Sequence, residues 1–317
     1  MPSLSYYRRV LAAYVGGGRS QLSFWHETPE VNERAFEKDS IEYYMRFAEK
    51  ARYAGPFDAQ GIPLLDYRGA IGPQYNPIAI AQYGLACFNA WKHAEFLKCA
   101  DWLAVNLRPN AHGLPVWMHD FDWEYFKPLR APWYSGLAQG QGVSLLLRAF
   151  KVTGQAIYRE AAAAAAKSLL TPVARGGVLF SDEQGHDWIE EYITTPPTHI
   201  LNGFLWALWG GWDWMRWGHD PDSARVLWER SLQTLEQNLA RFDAGYWSLY
   251  DLAPVGRKNV ASWFYHRLHV VQLDVMHRLT GREGFRFFHD RWRRYAQSPL
   301  KRRRAWVTKA VFKLKHY

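Results

Sequence analysis

Four times along the chain, an apolar helical stretch with small or amide residues near its start is followed by an ordinary amphipathic one. No other feature limits the fold as much. The apolar members begin at Ile80 (IAQYGLACFNAW), Leu137 (LAQGQGVSLLLRAF), Ile200 (ILNGFLWALWGGWDW) and Tyr265 (YHRLHVVQLDVMHRL). Their partners are HAEFLKCADWLAVNL, AIYREAAAAAAKSLL, SARVLWERSLQTLEQNLARF and EGFRFFHDRWRRYA. A helix apolar on most sides must be buried on most sides, whereas an amphipathic one covers a neighbour with one stripe and meets water with the other. The apolar starts lie 57, 63 and 65 residues apart, too irregular for a short solenoid repeat. The pattern predicts a mainly α fold: an (α/α) toroid, an incomplete barrel of hairpins with inner helices around a centre and outer helices around those.

The stretches that enter the inner helices are rich in Gly, Pro, Trp and Tyr: GIPLLDYRGAIGPQYNP, GLPVWMHDFDWEYFKPLRAPWYS, GGVLFSDEQGHDWIEEYITTPPTH and GYWSLYDLAPVGRKNVASWF. As short β-hairpins or extended loops they would emerge at one end of the ring and converge there, where a rigid scaffold can hold a site. Residues 1–55 are less patterned, with a helix predicted near 37–53, and read as an N-terminal helical extension. Residues 56–300 read as the toroid and 301–317 as a basic amphipathic tail.

The chain carries 17 Trp, 18 Tyr and 17 Phe with a net charge of +9. Most of these rings will anchor the core, but flat apolar faces with a polar edge also suit the C–H faces of sugars. The charge favours an acidic partner, and no nucleic-acid reading motif surrounds the basic residues. Composition alone leaves an acidic glycan and nucleic acid open, and the lack of a reading motif disfavours nucleic acid. The start, MPSLSYYRRVLAAYVGGG, lacks an apolar core followed by a cleavage site, and no charge-free run approaches the roughly 20 residues of a membrane span. A cytoplasmic protein is expected. Cys87 and Cys99 read as core packers, not a disulfide. The tail KRRRAWVTKAVFKLKHY has two readings: a solvated, fraying end, or a short helix lying on the anionic inner face of a membrane. A homodimer stays open.

Several short motifs carry chemistry. Glu190-Glu191-Tyr192, followed by Thr194-Thr195-Pro196, sets two carboxylates beside a phenol, where mutual repulsion and burial raise proton affinity. Tyr265-His266-x-x-His269-x-x-Gln272 puts two histidines on neighbouring helix faces. With no carboxylate at ligand spacing, they read as a core pair orienting Tyr265 or the substrate, and no metal is expected. Tyr250-Asp251-Leu252, Tyr75-Asn76-Pro77 and Trp133-Tyr134-Ser135 repeat a tyrosine near the ends of successive hairpins. There is no phosphate-cradling loop, nucleophile elbow or nucleotide fingerprint, so no cofactor is expected.

In this order the blocks resemble the catalytic C-terminal region of the D-glucuronyl C5-epimerases, which convert glucuronate to iduronate in heparan-type polymers. The resemblance rests on Pro77-Ile78-Ala79-Ile80-Ala81-Gln82-Tyr83-Gly84-Leu85, on Trp133-Tyr134-Ser135 with Ala138-Gln139-Gly140-Gln141, and on Glu190-Glu191-Tyr192-x-Thr194-Thr195-Pro196 with Leu201-Asn202-Gly203-Phe204. Its last block is Tyr250-Asp251-Leu252 with Tyr265-His266-x-x-His269-x-x-Gln272-Leu273. It implies an (α/α) toroid, catalytic roles for Glu191, Tyr192 and Tyr265, and a place in the same site for Tyr250. The chain departs from the family in two ways. About thirty residues separate Tyr83 from Gly113, where the family carries a β-rich domain. Ala253 and Ser262 stand where it has arginines, and Arg257 or Lys258 are the expected replacements.

C5 inversion removes a proton α to a carboxylate and returns one to the opposite face. It needs neutralisation of the developing dianion and a proton-transfer group on each side. Tyr192 and Tyr265 are the expected opposed pair, with Glu191 as base or orienter and Tyr250 in support. Substrate contacts are expected from Tyr75, Gln82, Trp133, Tyr134, Gln139, Gln141, Glu190, Asn202, Arg257, Lys258, His266 and His269. Two rivals remain: a uronate lyase working by β-elimination, and a catalytically silent glycan-binding or assembly protein. Adjacent Glu190 and Glu191 do not supply carboxylates on opposite sides of a glycosidic bond, which disfavours hydrolysis.

Overall fold

The computed structural model describes residues 21–125 and 127–316. Its four long helical hairpins are those the periodicity predicts: α1 (Pro77–Asn89) with α2 (His93–Val105), α3 (Gly136–Thr153) with α4 (Ala156–Leu170), α5 (Leu201–Trp217) with α6 (Pro221–Asn238), and α7 (Trp263–Thr280) with α8 (Glu283–Gln297). Local chemistry fixes where they start and stop. The Asn76 side chain accepts from the Ile78 and Ala79 amides and is followed by Pro77. Ser135 and Ser262 cap α3 and α7 in the same way. Gly154 and Gly281 end α3 and α7 at φ 71° and 67°, a backbone that a side chain disfavours.

Burial follows the pairing. Every residue of α1 is buried, whereas its partner α2 buries only Phe96, Cys99, Ala100 and Leu103, one stripe at helical spacing. Cys87 and Cys99 are buried and unbridged. The inner helices pack in succession, α1 on α3, α3 on α5 and α5 on α7, with α3 on α5 the most extensive contact. That contact depends on two glycines. A Cβ on Gly140 would lie 2.7 Å from the Ala207 carbonyl oxygen, and one on Gly210 would lie 2.5 Å from the Gly140 Cα.

Short antiparallel pairs precede three inner helices: β1 (Leu65–Asp66) with β2 (Pro73–Gln74) before α1, β5 (Met118–His119) with β6 (Trp133–Tyr134) before α3, and β7 (Leu179–Ser181) with β8 (Asp187–Ile189) before α5. A further pair, β3 (Arg108–Pro109) with β4 (Pro115–Val116), follows α2. A single bridge between Leu249 and Val260 braces the loop before α7.

Two stretches differ from the sequence reading. The helix predicted over 37–53 does not form. The chain there is irregular, with a bridge between Val31 and Met45 and a 3-10 turn at Lys50–Arg52. Tyr43, Tyr44 and Met45 are all fully buried. Instead the segment runs between elements. Asn89 of α1 bonds both the amide and the carbonyl of Tyr43, Tyr44 donates to Asp213 of α5 at 2.5 Å, and Glu33 pairs with Arg278 of α7. Arg148 of α3 completes a buried cluster by binding Asp213 at 2.6 Å.

The C-terminal tail is neither frayed nor separate. Residues 299–316 form a helix, α9 (Pro299–His316), that buries Ala305 and Phe312 against the body and leaves Trp306, Val307 and Leu314 exposed. Among the described residues, no helix is long and apolar enough to cross a membrane.

Candidate active site

The loops that lead into the inner helices, together with the residues at the helix starts, enclose a cavity of about 270 Å³, at the small end of ligand sites. Tyr67 reaches it from beyond β1, Tyr125 from the loop between β5 and β6, Glu191 and Tyr192 from just after β8, and Tyr250 from the loop before α7. Tyr265 comes from the first turn of α7 itself. Tyr250 and Tyr265 meet edge to face with centroids 4.9 Å apart. Tyr192 is held edge-on by Tyr125 at 4.7 Å and by Trp133 at 5.6 Å. Behind Tyr125, its hydroxyl reaches Asp251 at 3.2 Å, Asn259 donates to Asp251 at 2.6 Å, and Lys309 of α9 donates to the Asn259 side-chain oxygen at 2.6 Å.

Burial sets the protonation states. The Glu191 carboxyl is 4% exposed. Burial first, then the charges of Glu190 and Asp251, push it up to about 8, against an opposing bond from Tyr192. The Tyr192 and Tyr250 phenols lie well above the usual phenol range, through burial and then the Glu191 charge. Burial pulls Lys309 down to about 7 and also lowers Lys313. Burial likewise lowers His26 to about 4, keeping it neutral. Near neutral pH the cavity therefore favours uncharged forms of groups that could each take or give a proton.

The structure brings together Tyr192, Tyr265, Glu191 and Tyr250, the four residues expected to be catalytic, with Gln82, Trp133 and Asn202 of the expected contacts. Gln82 Oε1 and Asn202 Oδ1 have no partner within the protein and can accept from sugar hydroxyls. The other expected contacts lie elsewhere. Tyr75 is 40% exposed and donates to Asp58. Tyr134 is half-buried, with its hydroxyl beside Asn110. Gln139 bonds the Trp117 backbone, and Gln141 joins Gln82 to Tyr43. Both support the site from behind.

Glu190 is turned away from the cavity. It pairs with His199 and accepts from the Thr198 and His199 amides, bracing the loop into α5. His266 is buried against Trp247 at 3.7 Å, and it shares the Ser248 hydroxyl with His269. This is the core pair expected, but without substrate access. Arg257 and Lys258 are exposed on their loop and do not line the cavity.

The sequence reading missed Tyr67, Tyr125, Asn259, Lys309 and Lys313. The first two carried the same loop-end tyrosine signal as those chosen. The lysines share the α9 stripe of Ala305 and Phe312, which only the packing of that helix against the body turns inward. Among the described residues, no group of three or more His, Cys, Asp or Glu side chains could hold a metal ion.

A family profile described as the D-glucuronyl C5-epimerase C-terminus matches residues 112–294. The chain belongs to that family. It is 34% identical over 215 residues to a D-glucuronyl C5-epimerase of Caenorhabditis elegans, a match covering 63% of this chain and 35% of the relative. It is 30% identical over 182 residues to an uncharacterized protein of Methanocaldococcus jannaschii, covering 56% and 57% of the two chains. The chain therefore spans from about a third to just over half the length of these relatives. Of the cavity, Glu191, Tyr192, Tyr250 and Tyr265 fall inside the family match. Gln82 precedes it, and Lys309 and Lys313 follow it.

Proposed function

We propose that the protein inverts C5 of a uronic acid within an acidic polysaccharide, of the glucuronate-to-iduronate type. The observation that carries this reading is one cavity shared by the Tyr192, Tyr250 and Tyr265 phenols and a carboxyl, Glu191, whose pKa burial has raised to about 8. Proton transfer at a carbon acid needs groups that can be neutral at rest and can exchange protons near neutral pH.

In the proposed reaction, the C5–H bond breaks and its proton passes to a base on one face of the ring. The electron pair enters the C5–C6 bond as the carboxylate becomes an enediolate. A proton then returns to C5 from the other face. Tyr192 and Tyr265 form the opposed pair, Glu191 accepts or relays the proton through Tyr192, and Tyr250 supports Tyr265 across their edge-to-face contact. Nothing is oxidised, and the product differs from the substrate only in configuration. Gln82 and Asn202 hold sugar hydroxyls, while the Trp133 edge lies against Tyr192.

Incubating the protein with glucuronate-containing heparosan in deuterated water tests the reading. Deuterium at C5 in an intact polymer, with iduronate formed, supports it. A new unsaturated uronate with chain cleavage would instead mark the β-elimination lyase, since the same carbanion can expel the C4 oxygen. Binding with neither change would leave a glycan-binding protein without catalysis.

A further inference from the structure

We propose that Lys309 and Lys313 of the last helix form the carboxylate-binding subsite of the cavity, holding the acid group of the sugar beside Tyr250 and Tyr265. This rests on the uronate reading above and identifies what would neutralise the substrate's charge. An acidic sugar entering a largely apolar cavity needs cations there, and more so when loss of the C5 proton makes it a dianion. The exposed Arg257 and Lys258 do not reach the cavity. His26, which does, is neutral at the pH of interest. Among the described lining residues the basic side chains besides His26 are Lys309 and Lys313, both from α9, which an anion bound beside them would hold in the charged form.

Their placement fits the role. One ammonium proton of Lys309 is committed to Asn259 at 2.6 Å, and an ammonium has three to give. Its nitrogen sits 5.4 Å from the Tyr250 ring centroid, and Tyr250 in turn touches Tyr265. A carboxylate bound there carries its α-carbon next to those two phenols. Lys309 and Lys313 are one helical turn apart; burial lowers both, and the Lys313 charge adds to the lowering of Lys309. Asp251 acts on Lys309 from behind, through Asn259. Two like charges on a buried face are costly unless an anion joins them, and the substrate's carboxylate would be that anion. The Asn259–Asp251–Tyr125 chain then ties the cation to the ring that holds Tyr192, linking substrate charge to the catalytic phenol.

The test compares binding of a heparosan oligosaccharide with binding of the same oligosaccharide after its carboxylates are reduced to alcohols. It uses the full chain, Lys309→Met, Lys313→Met, their double variant and Lys309→Arg, with an Arg257→Met/Lys258→Met control. Methionine keeps an unbranched stem without the charge, and a thermal melt confirms folding. The unmodified chain should prefer the carboxylate form about 10- to 100-fold, the range of a charge-assisted hydrogen bond. The double variant should lose that preference, Lys309→Arg should keep most of it, and the loop control should match the unmodified chain. The subsite is overturned if the folded double variant keeps the preference, or if the unmodified chain shows none. C5 deuterium exchange is scored separately. A lysine-dependent preference without exchange refutes the epimerase and leaves the subsite, whereas exchange that is indifferent to both lysines does the reverse.

Discussion

Gly203 in the first turn of α5 faces Glu191 so closely that a Cβ added to it would lie 2.6 Å from the Glu191 Cβ and closer still to its carboxylate. The missing side chain is what makes room for a buried carboxyl beside Tyr192. Gly203→Ala should displace Glu191 from the cavity. Deuterium exchange at C5 should fall by more than about 100-fold, while unfolding free energy drops by only the ~1–3 kcal/mol typical of overpacking. Exchange assays paired with denaturant melts check the split.

Removing one hydroxyl from each proposed proton-transfer residue should cost rate and not binding. Tyr192→Phe and Tyr265→Phe are each expected to lower kcat by about 10²- to 10⁴-fold with KM within a few-fold, the range for general acid–base groups. Full activity in the Tyr192→Phe/Tyr265→Phe double variant would refute the assignment. Tyr125→Phe, which cuts the link between Asp251 and the ring holding Tyr192, should have a smaller effect.

The pH dependence follows from two shifts of opposite sign. Glu191, facing Tyr192, Glu190 and Asp251, binds its proton up to about 8, and Lys309, facing Asp251, Asn259, Lys313 and Tyr250, keeps its own only to about 7. With Glu191 acting as base and Lys309 as cation, kcat/KM should be bell-shaped and centred between these values. It falls on the acid side as Glu191 protonates and on the alkaline side as Lys309 discharges. Lys309→Arg should remove the alkaline fall. Stability gives a second check. A carboxyl whose folded pKa is raised costs nothing below its unfolded value near 4.5, and its cost grows until about 8. Glu191→Gln should therefore raise the melting temperature at pH 8 or above and leave it unchanged at pH 4.

These two groups also mark how far the sequence could be read. The hairpins were legible because their periodicity is imposed by burial, and Tyr192, Tyr250 and Tyr265 because each sits where a loop meets an inner helix. Lys309 was not, since a basic stretch with interspersed apolar residues reads equally as a surface helix, and only packing turns one stripe inward. Tyr43, Tyr44 and Met45 were misread for a related reason. Aromatic and charged residues in series carry no period that separates a helix from an irregular chain threaded between other elements. Arg257 and Lys258 stand near Ala253 and Ser262 in sequence but lie on an exposed loop, whereas the lysines that line the cavity come from α9.

Arg148 and Asp213 form a fully buried ion pair, and the Tyr44 hydroxyl donates to the same Asp213 carboxylate. Asp213→Ala should strand the Arg148 charge and destabilise the fold by ~3–5 kcal/mol. An Arg148→Met/Asp213→Leu variant should recover much of that loss in denaturant unfolding.

Because α9 contributes the wall of the cavity that holds Lys309 and Lys313, the order of synthesis gives the protein a built-in sequence of events. All four hairpins leave the ribosome before the lysines that would receive an acidic sugar. A nascent chain can therefore pack its core and position its tyrosines while still unable to neutralise a carboxylate. Competence would arrive after the hairpins, with the docking of one helix, and proteolytic clipping near its start would silence a molecule that still looks folded.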